Sequence, residues 1–311
     1  MFLDEKIYYN YLSIKSNILH PLDKFMSQDE MYQVCNKFIF KKRFFSMPFF
    51  LCGDSNDIKN INDGFLKIYF DNKYIDKLKI LSVSRFNKNK LIYKLFKNKK
   101  GHPYIDFILN SKNYIIETDN FANKKNLIKT KKNLVGFATR NIPHIGHEKI
   151  ILNAIKKKKG LIIINSDIAK NKKINSEKSY DAYKKFIRRE KIENKIVLKK
   201  IVLPSFLLGY RQAALHAMIG KNLGCDHFII GRDHSGYKNF YEEFESFKLC
   251  KKYQSKIGLK IISSGSPRYC LGCNKVVFRE ECRCKNKSFD ISSSLIRNLK
   301  NNKTKKLISN F

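Results

Sequence analysis

Over the first 130 residues, apolar positions come in short runs broken by polar turns, as at 65–70 (Phe-Leu-Lys-Ile-Tyr-Phe) and 104–109 (Tyr-Ile-Asp-Phe-Ile-Leu). Runs of that length, rich in aromatic and β-branched residues, predict a β-rich unit. The pattern changes at residue 134. Residues 134–138, 161–164 and 196–203 are near-continuous apolar runs, 224–236 reads as a strand ending in a loop, and helical stretches from Pro143 through about 155, at 179–189 and at 211–217 fall between them. Strands apolar on both faces and alternating with helices predict an α/β domain around a parallel sheet. Ligands of such sheets sit beyond the strand C-termini. The lysine-rich stretch 123–133 is the expected linker, dividing the chain into 1–130 and 131–311.

Candidate chemistry concentrates where the second pattern begins. Residues 134–148 read Leu-Val-Gly-Phe-Ala-Thr-Arg-Asn-Ile-Pro-His-Ile-Gly-His-Glu. The apolar run predicts a buried strand, Thr139-Arg140-Asn141 offers turn and N-cap chemistry, and Pro143 suits the first turn of a helix. His144 and His147, three apart, should share one face of that turn, beside free backbone N–H groups and the positive end of the helix dipole. An anion docked there would meet Arg140 and both imidazoles. An isolated His-x-x-His pair is more often surface or core histidine, so the motif needs support from elsewhere in the chain. Two segments supply it: residues 224–236, a strand running into Gly231-Arg232-Asp233-His234-Ser235-Gly236, and residues 291–297, Ile-Ser-Ser-Ser-Leu-Ile-Arg.

His144-Ile145-Gly146-His147 resembles the phosphate-contacting signature of the nucleotidyltransferase and class I aminoacyl-tRNA synthetase superfamily. Residues 291–297 resemble the element with which such enzymes hold the triphosphate. The block through Gly231 to Gly236 resembles the ATP sulfurylase (sulfate adenylyltransferase) family, with its Gly-Arg-Asp-His-Ala-Gly. Residues 20–26, 101–103 and 113–114 resemble its amino-terminal domain, so the likeness spans essentially the whole chain. It implies a PUA-like first domain, a Rossmann-like catalytic domain, and transfer of AMP from ATP to sulfate. It also implies a catalytic loop of Thr139, Arg140, Asn141, His144 and His147. The nucleotide would be held by Arg140, Asn141, His144, His147, Gly231, Arg232, Asp233, His234, Ser292 and Arg297, with Mg²⁺ arriving on the ATP. Ala138, Arg140 and Ser235 would line the acceptor. Here the sequence departs from the family: Ala138 replaces a glutamine, Ile145 an arginine and Ser235 an alanine, while 205–209 reads Ser-Phe-Leu-Leu-Gly instead of Met-Arg-Tyr-Ala-Gly. A related transferase using a phosphate, phosphonate or sugar-phosphate acceptor is therefore a second reading, and a polyanion-binding protein with a decayed site a third.

Composition adds limits. Cys270, Cys273, Cys282 and Cys284 have the spacing of a closed, structural zinc site within 268–288, which the family resemblance also favours, while Cys35, Cys52, Cys225 and Cys250 are scattered and expected to be buried. The formal charge of +36 invites a nucleic-acid partner. Yet the lysines are spread along the whole chain among Asn, Ile, Tyr and Phe, a composition that AT-rich codons would produce. No specific nucleic acid is expected. A charged amino terminus and the lack of a long apolar span predict a cytoplasmic protein with no membrane segment. Whether it forms a homo-oligomer is left open.

Overall fold

The computed structural model describes residues 1–123, 128–166, 176–284 and 288–291. The amino-terminal unit begins with α1 (Glu5–Lys15), whose first turn Asp4 caps, and α2 (Gln28–Lys37), closed by a Ser27–Glu30 capping box. A short ribbon, β1 (Ile39–Phe40) and β2 (Arg43–Phe44), leads to β3 (Leu51–Gly53), α3 (Ser55–Lys59), β4 (Phe65–Phe70) and β5 (Lys73–Arg85). Then come α4 (Lys88–Phe96), α5 (Pro103–Leu109) and β6 (Tyr114–Thr118), and the antiparallel order is β3-β6-β5-β4. The β-rich expectation holds only in part. Residues 104–109, read as a strand-like run, form α5: His102 caps it, Pro103 occupies its first turn, and Tyr104 and Ile108, four apart, are its buried stripe.

The second unit alternates as expected: β7 (Leu134–Thr139), α6 (Ile145–Ala154), β8 (Lys159–Ser166), α7 (Ser176–Arg189), β9 (Ile196–Val202), α8 (Tyr210–Asn222), β10 (His227–Ile230), α9 (Glu245–Lys252), α10 (Gln254–Ile257) and β11 (Lys260–Ser263). These strands are all parallel, in the order β11-β10-β7-β8-β9. Successive β7 residues bury opposite faces. Val135 and Phe137 join the cluster with Ile151, Tyr183 and Phe186, whereas Leu134 and Ala138 join the larger cluster that continues into the amino-terminal unit through Phe25, Phe49 and Tyr104. The two units therefore share one core. Arg211 of α8 is buried at their junction, donating to the Cys35 carbonyl at 2.7 Å and the Ser46 carbonyl at 3.2 Å. Beyond β11, β12 (Arg268–Cys270), β13 (Lys275–Val277) and β14 (Ser288–Asp290) form a small antiparallel sheet. Among the described residues no helix is long and apolar enough to cross a membrane.

Candidate active site

The strand order decides where the motifs meet. From β7 the chain steps outward through β8 and β9, then returns to the other side of β7 for β10 and β11. The order reverses between β7 and β10, and loops leaving the C-terminal ends of neighbouring strands diverge there to open a crevice. The loop at 140–144 leaves β7 and the Gly-Arg-Asp-His loop leaves β10, so two segments some ninety residues apart reach one crevice by topology.

His144 is not inside the helix, and Pro143 precedes the cap instead of occupying the first turn. His144 is the N-cap of α6, with an extended backbone, and its Nδ1 accepts from the Gly146 amide at 3.2 Å and the His147 amide at 3.3 Å. Two amides expected to be free for a phosphate are thus already engaged. The same bonds settle the tautomer: Nδ1 accepts, so neutral His144 carries its proton on Nε2. Its ring stacks on His147 with centroids 3.8 Å apart. Burial and the neighbouring His144 hold His147 well below the usual histidine pKa, so it is neutral at pH 7. A Cβ on Gly146 would lie 3.1 Å from the His144 ring and 3.4 Å from Ile291 Cγ2. A larger residue would press the His144 ring aside by a few tenths of an ångström, and Ile291, at contact distance, begins the Ile-Ser-Ser-Ser segment, which therefore starts against this helix. Ser292 and Arg297 lie outside the described residues.

Around this core, Thr139 Oγ1 accepts from the Asn141 amide at 3.1 Å and shapes the turn. Arg140 donates to Ser205 Oγ at 2.8 Å, and its carbonyl accepts from Ser179 Oγ at 3.4 Å. Ala138 is buried in the same apolar cluster as Phe206 and Leu208. In the second loop, a Cβ on Gly231 would meet nothing within 4 Å, so that backbone borders open space. Arg232 is held by Asp290 at 2.5 Å and lies 3.8 Å from Glu243. Asp233 is exposed, with its Oδ1 over Gly236, while Ser235 adopts a left-handed conformation and its carbonyl accepts from the Gly209 amide at 3.0 Å. His234 Nε2 lies 2.8 Å from His216 Nδ1, and burial with the nearby Arg140 cation lowers its pKa to about 4.

Sequence reasoning missed Ser205, Ser179, Asn165, His216, Asp290 and Tyr183, whose hydroxyl lies 3.5 Å from His147 Nδ1. His216 carried a faint signal, a polar ring inside the apolar stretch 213–220 of its helix; the others reach the site only through the fold.

The cysteine cluster adjoins the same crevice. Sγ of Cys270, Cys273, Cys282 and Cys284 all lie within 4.8 Å of one another, with Cys273 3.4 Å from Cys282 and 3.3 Å from Cys284. A tetrahedron of thiolates about 2.3 Å from a central ion has edges of about 3.8 Å, so four soft donors nearly at those spacings fit zinc. The Cys273 amide donates to Cys270 Sγ at 3.4 Å, fixing the turn that carries these two thiols. Cys35, Cys52, Cys225 and Cys250 are buried as expected, with thiols pushed up to about 11 or 12.

A sequence model of ATP-sulfurylase matches residues 118–305, more than half the chain. The chain belongs to the ATP-sulfurylase family. A PUA-like domain model matches residues 2–118. The chain is 25% identical to the sulfate adenylyltransferase of Ignicoccus hospitalis, covering 90% of this chain and 79% of that one. It is 26% identical to that of Carboxydothermus hydrogenoformans, over 88% and 79%. A structure described as a hexameric APS kinase from Thiobacillus denitrificans shares the fold at a TM-score of 0.65 and 14% identity, over 96% of this chain; the chain spans only 57% of that longer one.

Proposed function

We propose that this ATP-sulfurylase family member is a sulfate adenylyltransferase-like enzyme that transfers AMP from ATP to sulfate, releasing pyrophosphate, with a PUA-like domain at 1–130 and the catalytic domain at 131–311. The observation that carries the reading is the meeting of the His-Ile-Gly-His cap and the Gly-Arg-Asp-His loop at the reversal of strand order, with Ile291 packed against Gly146. Sulfate is already ionised, so no general base is required. What the reaction needs is alignment of two polyanions and stabilisation of charge on the α-phosphoryl group and departing pyrophosphate.

In this reading the His144 Nε2–H and the neutral His147 bind the phosphates, and Arg140, steadied by Ser205, binds the acceptor. Thr139 and Asn141 hold the turn. Gly231 leaves space for the nucleotide, Asp233 and His234 border it, and Arg232 is anchored by Asp290 at its edge. Ser292 and Arg297 would bind the triphosphate. Mg²⁺ on the β and γ oxygens would neutralise pyrophosphate charge. Zinc would occupy the four cysteines in a structural role.

A second reading, an anionic acceptor other than sulfate, is favoured by one observation. Ala138 and Phe206, at positions where the family carries glutamine and arginine, are both buried in the apolar cluster, and Phe206 packs edge-on to Phe49 and Tyr104. Pyrophosphate release measured with ATP, CTP and GTP against sulfate, phosphate, a phosphonate and a sugar phosphate tests both. ATP with sulfate should give the highest kcat/KM. A preference for another oxyanion selects the second reading, and no release with any pair defeats both.

A further inference from the structure

We propose that Asn165 and His216 are positioning residues that decide which ring nitrogen of His234 carries its proton, and so how the Gly-Arg-Asp-His loop meets the nucleotide. The inference rests on His234 bordering the nucleotide, as proposed above. Asn165 Nδ2 lies 2.8 Å from His216 Nε2, and His216 Nδ1 lies 2.8 Å from His234 Nε2. Asn165, near the end of β8, and His216, in the middle of α8, are 7% and 4% exposed, so water cannot substitute for either bond. The chain of contacts joins a strand, a helix and the loop after β10.

An amide nitrogen can only donate. His216 Nε2 therefore accepts, its proton sits on Nδ1 and is donated to His234 Nε2, and the His234 proton is left on Nδ1. His234 then offers an N–H donor on the nitrogen that His216 does not use. The opposite polarity would require the Asn165 amide to turn over, so that its Oδ1 accepts from His216 Nε2. The arrangement with Asn165 as donor needs both rings neutral, since an added proton on either would set N–H against N–H. Burial and the adjoining Arg140 cation keep them so.

The test uses the full chain labelled with ¹⁵N. Long-range proton–nitrogen correlations report the tautomer of each ring, and with seven histidines the His234 signals are assignable from His234→Asn. The parent should show His234 protonated on Nδ1. Asn165→Asp replaces the donor with an acceptor and should move that proton to Nε2, weakening MgATP binding measured by calorimetry about tenfold or more. In a His234→Asn background the same substitution should change the affinity less than about twofold. Asn165→Leu, which adds no charge, guards against misfolding and should leave His234 divided between both tautomers. A His234 that keeps its Nδ1 proton in every folded variant overturns the relay. A moved proton with unchanged MgATP affinity overturns its role at the nucleotide. A parent that binds no MgATP defeats the proposed function instead, and the ring signals still decide the relay.

Discussion

His144 carries two tasks that sequence spacing presents as one. Its Nδ1 closes the first turn of α6 and its Nε2 holds the proton, so substitution has separable consequences. His144→Ala should cost about 1 kcal/mol of stability through the lost cap and lower kcat about 10²-fold. His144→Asn, which can still cap, should recover the melting temperature without recovering kcat. His147→Ala, which leaves the cap intact, should lower kcat by a similar factor. Thermal melts and steady-state kinetics on the three variants check this, and full activity in the histidine variants would place the chemistry elsewhere. The motif was legible from four letters. The capping role was not, because Pro143 one residue earlier satisfied the sequence rule for a helix start equally well.

At the scale of elements, the cysteine-bearing unit reaches both α6 and the Gly-Arg-Asp-His loop. Lys149 of α6 pairs with Glu281 at 2.8 Å, and Asp290 at the end of β14 bridges Arg232 at 2.5 Å and Arg268 at 2.9 Å. Three short strands of this size have little core of their own, so a metal ion should supply much of their order. Elemental analysis of reduced protein should find one zinc per chain. Cys273→Ser should abolish that zinc and lower the melting temperature. It should also diminish the thermal protection given by MgATP, since Asp290 and Ile291 would lose their support. A variant that loses zinc but keeps full MgATP protection would show the sheet to be independent of the site. The cysteine spacing was readable in the sequence; the pairs Lys149–Glu281 and Arg232–Asp290, each joining residues far apart in the chain, were not.

For the whole molecule, the net charge and the buried histidines give opposite kinds of dependence on solution conditions. A formal +36 makes the compact state repel itself, so raising NaCl from about 0.05 to 0.5 M should raise the melting temperature as screening shortens the reach of those charges. A melting point that falls with salt would mean that specific ion pairs outweigh repulsion. His147, His216 and His234 are all shifted below the ordinary value of 6.5, His234 to about 4. The unfolded chain then binds more protons than the folded one between about pH 6.5 and 4. Their contribution is complete above about 6.5 and declines as pH falls below it, for His234 through about 4. Denaturant titrations should show stability declining on acidification, with a smaller slope in His216→Gln.

The sequence alone determined the alternation of apolar runs that makes the second unit a parallel α/β sheet, the His-Ile-Gly-His and Gly-Arg-Asp-His segments, and the four-cysteine spacing. These are local patterns, and period and spacing are properties of a single stretch of chain. It misjudged residues 104–109, whose composition suits a strand; only the capping by His102 and the packing of Tyr104 and Ile108 made them a helix. The tertiary structure decided what lies between distant residues. It placed β7 beside β10 so that their loops share a crevice, and it buried Ala138 with Phe206. It also joined Asn165, His216 and His234 in one hydrogen-bonded line. The physical reason is that strand order and burial are set by packing over the whole core, whereas the local pattern gives each strand a face but not a neighbour.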